Sequence, residues 1–180
     1  MSKAIDDLRH DHDAILSALN ILDRISAGIG SGSSPDKEDL ADFIGFLKEF
    51  ADKCHHGKEE GLLFPALVNA GLPERGGPVG VMLAEHAQGR DYIKEMETAV
   101  VSGPDYVTFS HGAHAYSALL KNHIQKENNV LFPMAEETLE KTRMDELYSS
   151  FHEREEKVIG HGRHEELHQM LKNLQKKYLK

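Results

Sequence analysis

The sequence predicts an all-α protein: an antiparallel up-down four-helix bundle with additional C-terminal helices. Three observations point there. Long stretches rich in Ala, Leu, Glu, Lys and Met show no sustained apolar/polar alternation, which favours helix over strand. Clusters of turn formers separate these stretches at residues 28–35, 71–78, 102–104 and 160–162. Within the stretches, apolar residues recur at the 3-4-3-4 spacing of a helix packed lengthwise on its neighbours.

In chain order, the first helix is expected over 3–27, with a seam of Ile5, Leu8, His12, Ile15, Leu19 and Leu22. Ser34-Pro35-Asp36 announces the second, over 36–70, whose less regular seam runs Ile44, Leu47, Ala51, His55, Glu59, Leu62 and Ala66. The third, over 77–101, aligns Met82, His86, Gly89, Ile93, Met96 and Val100. Pro104-Asp105 opens the fourth, over 105–140, which aligns Phe109, Ala113, Tyr116, Leu120, His123, Glu127, Val130 and Met134. Two further helices are expected over 143–159 and 163–179, the last with a seam of His164, Leu167, Leu171, Leu174 and Tyr178. Residues 1–140 would then form the bundle, and 141–180 an extension packed on it. Pro65 and Pro133 interrupt apparent helices and should kink or end them by freeing the carbonyls of Gly61 and Asn129.

Composition narrows the function. The 180 residues amount to about one domain at roughly 150 residues each. No apolar run approaches the roughly 18 residues of a membrane span. The N-terminus moves straight into charged residues without the apolar core of a secretory signal, so a cytoplasmic location is expected. A net charge of −9 argues against nucleic acid or an anionic membrane as partner. A single cysteine, Cys54, excludes a disulfide framework or a cysteine-ligated cluster, and is best read as a small core residue. Twelve histidines are the anomaly.

Each of the first four seams is apolar except at a histidine, or at a histidine with a glutamate. His55-x-x-x-Glu59 followed by Leu63-Phe64-Pro65 matches His123-x-x-x-Glu127 followed by Leu131-Phe132-Pro133 at a constant offset of 68. Asp11-His12 and Glu85-His86 match at an offset of 74, so the chain reads as a doubled helix pair. A histidine and a glutamate four residues apart share a helical face and can reach one metal or two adjacent metals. A lone histidine on an apolar seam is usually a hydrogen-bonded core residue. Four at comparable depth, with two carboxylates, are costly to bury unless they satisfy one another around metal. Imidazole with carboxylate suits iron, with manganese or zinc as possible substitutes. Six ligands would saturate one octahedral ion, whereas two ions sharing carboxylates keep a position open.

The order His, His-x-x-x-Glu, His, His-x-x-x-Glu, with Leu-Phe-Pro after each pair, resembles the hemerythrin-like HHE cation-binding domain over about residues 3–140. The resemblance implies a four-helix bundle around an oxo- or hydroxo-bridged pair of iron ions that binds dioxygen or a related diatomic or peroxide-type ligand. It also implies His12, His55, His86 and His123 as terminal ligands and Glu59 and Glu127 as bridges. The sequence departs from hemerythrin itself at Arg90, where the third helix would carry a second histidine, and at Glu127, part of a His-x-x-x-Glu that replaces His-x-x-x-x-Asp. One expected histidine is therefore missing, which leaves oxygen or redox sensing, carriage, iron storage or handling, and peroxide or nitric oxide chemistry open.

His164, on the last seam, is a candidate for the missing nitrogen ligand, or for a hydrogen bond to a bridging carboxylate. His56 and Glu60 compete with His55 and Glu59; the offset favours the latter pair and leaves His56 solvated or beside the ligands, with Glu60 near it. His168 lies one turn beyond His164 and is a weaker candidate for the site's surroundings. Tyr116 either packs as a core aromatic or turns its hydroxyl toward a small ligand. His10 shares a polar face and should be exposed. His164-Glu165-Glu166-Leu167-His168 also matches the His-Glu-x-x-His of zinc hydrolases literally, but no acidic residue or histidine follows to complete it.

Overall fold

The computed structural model describes residues 2–101, 103 and 105–179. Ser102 and Pro104, read above as turn and helix-opening signals, lie outside the described residues. Six helical rods follow one another: α1 (Lys3–Gly30), α2 (37–69), α3 (Pro78–Val101), α4 (106–138), α5 (Lys141–Val158) and α6 (Arg163–Tyr178). The Ser2 hydroxyl caps α1 by accepting the Ile5 N–H, and the Asp105 carboxylate caps α4 by accepting that of Thr108. Asp36 also stands at a cap position, but its carboxylate binds Lys177 of α6 instead. α1 runs past the expected end because Gly28 and Gly30 stay helical. The left-handed residue that ends the turn is Gly32, at φ +88°.

The buried side chains form two apolar layers. One contains Ile15 to Ile25 of α1, Leu40 to Ala51 of α2, Ile93 to Val100 of α3 and Phe109 to Ile124 of α4. The other contains Ala4 to Leu8, Leu63 to Leu67, Val79 with Met82, and Leu131 to Ala135. α1 and α3 run from the second layer to the first, and α2 and α4 run back. The four rods therefore alternate in direction, as the short connections require. α5 adds Met144, Leu147 and Phe151 to the second layer, and α6 adds Leu167, Leu171 and Leu174 to the first. No helix among the described residues is long and apolar enough to cross a membrane.

Neither proline ends its helix. Six residues before each one, the rod begins to widen into a π-helical turn, Glu59–Leu63 in α2 and Glu127–Leu131 in α4. Phe64 N–H then reaches back to the Glu59 carbonyl, and Phe132 N–H to that of Glu127, so the helix continues through Pro65 and Pro133. The extra residue shifts the seam by one position. Leu131 and Ala135 are buried where Val130 and Met134 were expected, and Val130 is exposed. α2 carries a second π-helical run, Leu47–His56, which α4 lacks.

α5 seats itself on α2 through two glycines. A Cβ on Gly61 would stand 2.9 Å from Arg154 Nη1, and one on Gly57 3.0 Å from Arg154 Nη2, so both positions make room for the guanidinium. Phe151, fully buried, anchors the same contact. Phe151→Ala should destabilise the whole protein by about 3–5 kcal/mol in a single denaturant transition, the usual loss for a buried phenylalanine. A separate early transition for α5 would contradict this.

Candidate metal centre

The six expected ligands lie between the two layers, one turn of each rod interrupting the apolar seam. His12 sits between Leu8 and Ile15, His86 between Met82 and Ile93, and the His-Glu pairs occupy the same level of α2 and α4. None of the six is more than 1% exposed. His12, His55, Glu59 and Glu127 each offer a donor atom within 4.8 Å of the others, and so do His56, Glu59, His86 and His123. Glu59 belongs to both groups. Glu127 spans them as well, with its Oε2 3.1 Å from His12 Nε2 and 3.2 Å from His123 Nε2.

Four of the imidazoles are held from behind. His55 Nδ1 donates to Asp11 Oδ2 (3.2 Å), His123 Nδ1 to Glu85 Oε2 (2.9 Å), His86 Nδ1 to Glu60 Oε1 (2.8 Å) and His12 Nδ1 to Asn128 Oδ1 (3.0 Å). Because these partners are acceptors, each Nδ1 carries a proton and each Nε2 faces inward, where a bound cation would take its lone pair. The arrangement explains both offsets in the sequence. The acid before His12 holds the histidine of α2, and the acid before His86 holds that of α4. The residue after each glutamate, Glu60 or Asn128, holds the histidine of α3 or α1. Lys58 and Lys126, again 68 apart, bind Asp11 and Glu85.

The doubling breaks where α5 covers one half. Lys58 is 1% exposed, caged by Asp7 and Asp11 at 3.0 Å and Glu155 at 3.3 Å, while Lys126 is 41% exposed. Burial would lower the Lys58 ammonium, but Asp11 and Asp7 outweigh it and hold it charged. Burial would likewise raise the Asp11 carboxyl, and the His55 and Lys58 hydrogen bonds keep it below the ordinary range.

Burial pushes His55 down to about 4 and His56 well below the usual imidazole value, so both are neutral lone-pair donors. The Glu59 carboxyl is pushed well above the usual range, first by burial and then by Glu127. For Glu127, burial acts in the same sense, but hydrogen bonds from His12 and His123 outweigh it and keep it ionised. His55 Nε2, both nitrogens of His56, both oxygens of Glu59 and Glu127 Oε1 have no hydrogen-bond partner among the described residues. Six orphaned polar atoms in one small volume are costly, and cations that accept lone pairs would satisfy all but the protonated nitrogen of His56, whose Nδ1 faces Asp52 Oδ1 at 3.6 Å. The donor set of imidazole and carboxylate fits iron, manganese or zinc. Cys54 stays outside it as a buried thiol, pushed up to about 12 by burial.

The sequence left His56 either solvated or beside the ligands, and the second of these holds. Far from being solvated, it is 3% exposed and stacks on His86 with ring centroids 3.8 Å apart. The physical reason is the π-helical run that ends at His56. A wider turn brings neighbouring residues closer in azimuth than the roughly 100° of an α-helix, so His55 and His56 both face inward. His164 departs from expectation. It is 28% exposed, rests against Phe50 and His168 at 5.3 and 4.6 Å between centroids, and belongs to neither donor group. Phe50 occupies the core position beneath it. His168 lies on the same outer face, with no group of three donors around the pair among the described residues, so the hydrolase motif is incomplete. Glu60 binds Arg90 at 2.7 Å as well as His86, so the residue standing in place of the second histidine of α3 reaches that imidazole through a carboxylate. Tyr116 is fully buried with an unpartnered hydroxyl, and burial raises it above the ordinary phenol range.

Comparison with known proteins agrees with this geometry. The chain is 34% identical over 103 residues to the iron-sulfur cluster repair protein YtfE of Cronobacter sakazakii, a match covering 53% of this chain and 46% of the relative. It is 35% identical over 88 residues to the protein of that name from Salmonella paratyphi B, covering 45% of this chain and 40% of the relative. These matches span less than half the length of the curated relatives. No solved structure matches. The family model of the hemerythrin HHE cation-binding domain matches residues 3–135, and the chain belongs to that family.

Proposed function

We propose that the protein is a non-haem diiron protein that binds a small oxygen-type ligand, such as dioxygen, peroxide or nitric oxide. The observation that carries this reading is the convergence of unpartnered buried donor atoms on His55, His56, Glu59 and Glu127. In this assignment His12 and His55 hold one iron, and His56, His86 and His123 the other, with Glu59 and Glu127 serving both. The His12 and His55 group would offer one fewer nitrogen, so iron held there would be the one to take the small ligand. Bound iron supplies redox activity and an electrophilic position there. The chain's own part is orientation: Asp11, Asn128, Glu60 and Glu85 fix four rings, and α5 keeps water from the Asp11 and Lys58 side. Tyr116, two turns before His123, offers a hydroxyl with no other buried partner. Burial raises that hydroxyl above the ordinary phenol range, and the charge of Asp52, which stands 3.6 Å from His56 Nδ1, acts in the same sense.

A second reading, storage or handling of iron or another metal, draws on the asymmetry of the cover and on relatives named for iron-sulfur cluster repair. The His123 half is screened by the half-exposed Lys126, whereas a whole helix covers the His55 half. Optical titration separates the two. Ligand chemistry requires a near-ultraviolet band that shifts with azide, and simple storage does not.

The fifth imidazole gives the assignment its sharpest test. His56→Ala should lower bound iron from two per chain to about one, while an exposed control, His111→Ala, retains two. Undiminished iron in His56→Ala would reject the role of His56.

A further inference from the structure

A separate cluster of imidazoles lies on the outside of the bundle, where α6 crosses α1. His164 and His168 stand at i and i+4 on one face of α6, with ring centroids 4.6 Å apart. His10 of α1 faces them, its ring centroid 6.3 Å from that of His168. The three line a shallow groove of about 430 Å³, together with the exposed carboxylates of Asp13 and Glu165. The groove floor is rigid. Leu167 and Leu171 are buried beneath it, Phe50 packs under both α6 imidazoles at 5.3 and 5.2 Å, and the start of α6 is pinned by the Arg163 fork on Glu49 at 2.8 and 2.9 Å.

His10 and His168 make no hydrogen bond among the described residues, and His164 has a long ion pair with Glu155, at 3.8 Å. Two imidazoles sharing one tetrahedral ion, at a metal–nitrogen distance of about 2.0–2.1 Å, hold their ring centres about 5 Å apart. The spacings of 4.6 and 6.3 Å bracket that value; the three donor atoms do not yet converge on one point, and rotation of the exposed His10 side chain is the movement that would bring them together. Burial lowers His168 below the usual imidazole value, and His164 pushes it the same way, so its lone pair is available.

We propose that His10, His164 and His168 form a second, surface metal site for a first-row divalent cation that prefers imidazole. Three nitrogens fill three positions of a tetrahedral ion, and water or the carboxylate of Asp13 or Glu165 takes the fourth. The site is independent of the buried centre and shares no ligand with it.

The test is equilibrium dialysis of the iron-loaded full chain against zinc, with iron and zinc counted in the same samples. Wild type should take up one zinc without releasing iron. His10→Ala and His168→Ala should each weaken that uptake by about tenfold or more, whereas His111→Ala should match wild type. His10 is exposed, so its replacement tests the site even if the half-buried His168 variant folds poorly. No zinc uptake beyond the iron released, or equal uptake by wild type and His10→Ala, would overturn the proposal. A low iron count with normal zinc uptake would count against the diiron reading alone.

Discussion

Glu59→Ala is expected to empty both metal positions at once, whereas His12→Ala or His86→Ala should each lose about one ion. The asymmetry follows from geometry: Glu59 is a member of both donor groups, and each of these histidines belongs to one. Removing Glu59 also leaves Glu127 to neutralise two cations alone. Its Oε2 lies 3.1 Å from His12 Nε2 and 3.2 Å from His123 Nε2, so it faces both groups but brings only one negative charge. Metal analysis after iron reconstitution checks the difference. Retention of a full ion by Glu59→Ala would mean that the two groups are independent sites and that Glu59 does not join them.

The second large effect is a reversal of stability. Metal-free Glu59→Gln should be more stable than metal-free wild type at neutral pH, and iron-loaded Glu59→Gln less stable than iron-loaded wild type. In the absence of metal, Glu59 is a fully buried carboxyl beside the ionised Glu127, and both conditions raise it. A raised carboxyl contributes its full stability only below its unfolded value of about 4.3, and loses that contribution as pH climbs through the folded value. Glutamine has no such dependence, so its advantage should widen from about pH 4.3 upward and reach about 1–4 kcal/mol. Iron turns the same carboxylate into a ligand, and binding at a thousandfold excess over Kd stabilises by about 4 kcal/mol. Thermal melts of both proteins in both states should cross. The same ranking with and without iron would argue that Glu59 is buried for packing rather than for metal.

Much of this arrangement is legible in the sequence because a buried donor interrupts an otherwise apolar seam. On α1 and α3 the 3.6-residue period holds throughout, and every seam residue from Ile5 to Leu22 and from Met82 to Val100 is buried. On α2 and α4 the period fails where the backbone widens. An α-helical count from Glu127 lands on Val130 and Met134, one residue short of the buried Leu131 and Ala135. The same failure hides His56. A helical wheel puts it on the polar line of Glu49 and Lys53, and only the π-helical run of α2 turns it inward. Phe64-Pro65 and Phe132-Pro133 were a usable signal for the two shorter widenings. The longer run, over residues 47–56, has no comparable mark. The offset of 74 between Asp11-His12 and Glu85-His86 was visible as a weak repeat, but its meaning, each acid orienting the histidine of the next helix, needed coordinates. His164 failed for a different reason. Its seam is real from Leu167 to Leu174, but helix periodicity cannot tell that Phe50 already fills the space toward which His164 points.

The most direct test of the central claim is the iron content of the full chain after anaerobic reconstitution with excess ferrous iron, removal of unbound metal and exposure to air. Two irons per chain, with a near-ultraviolet band that shifts on adding azide, is the predicted result. A reproducible limit of one metal per chain under the same iron-replete conditions would contradict the dinuclear centre.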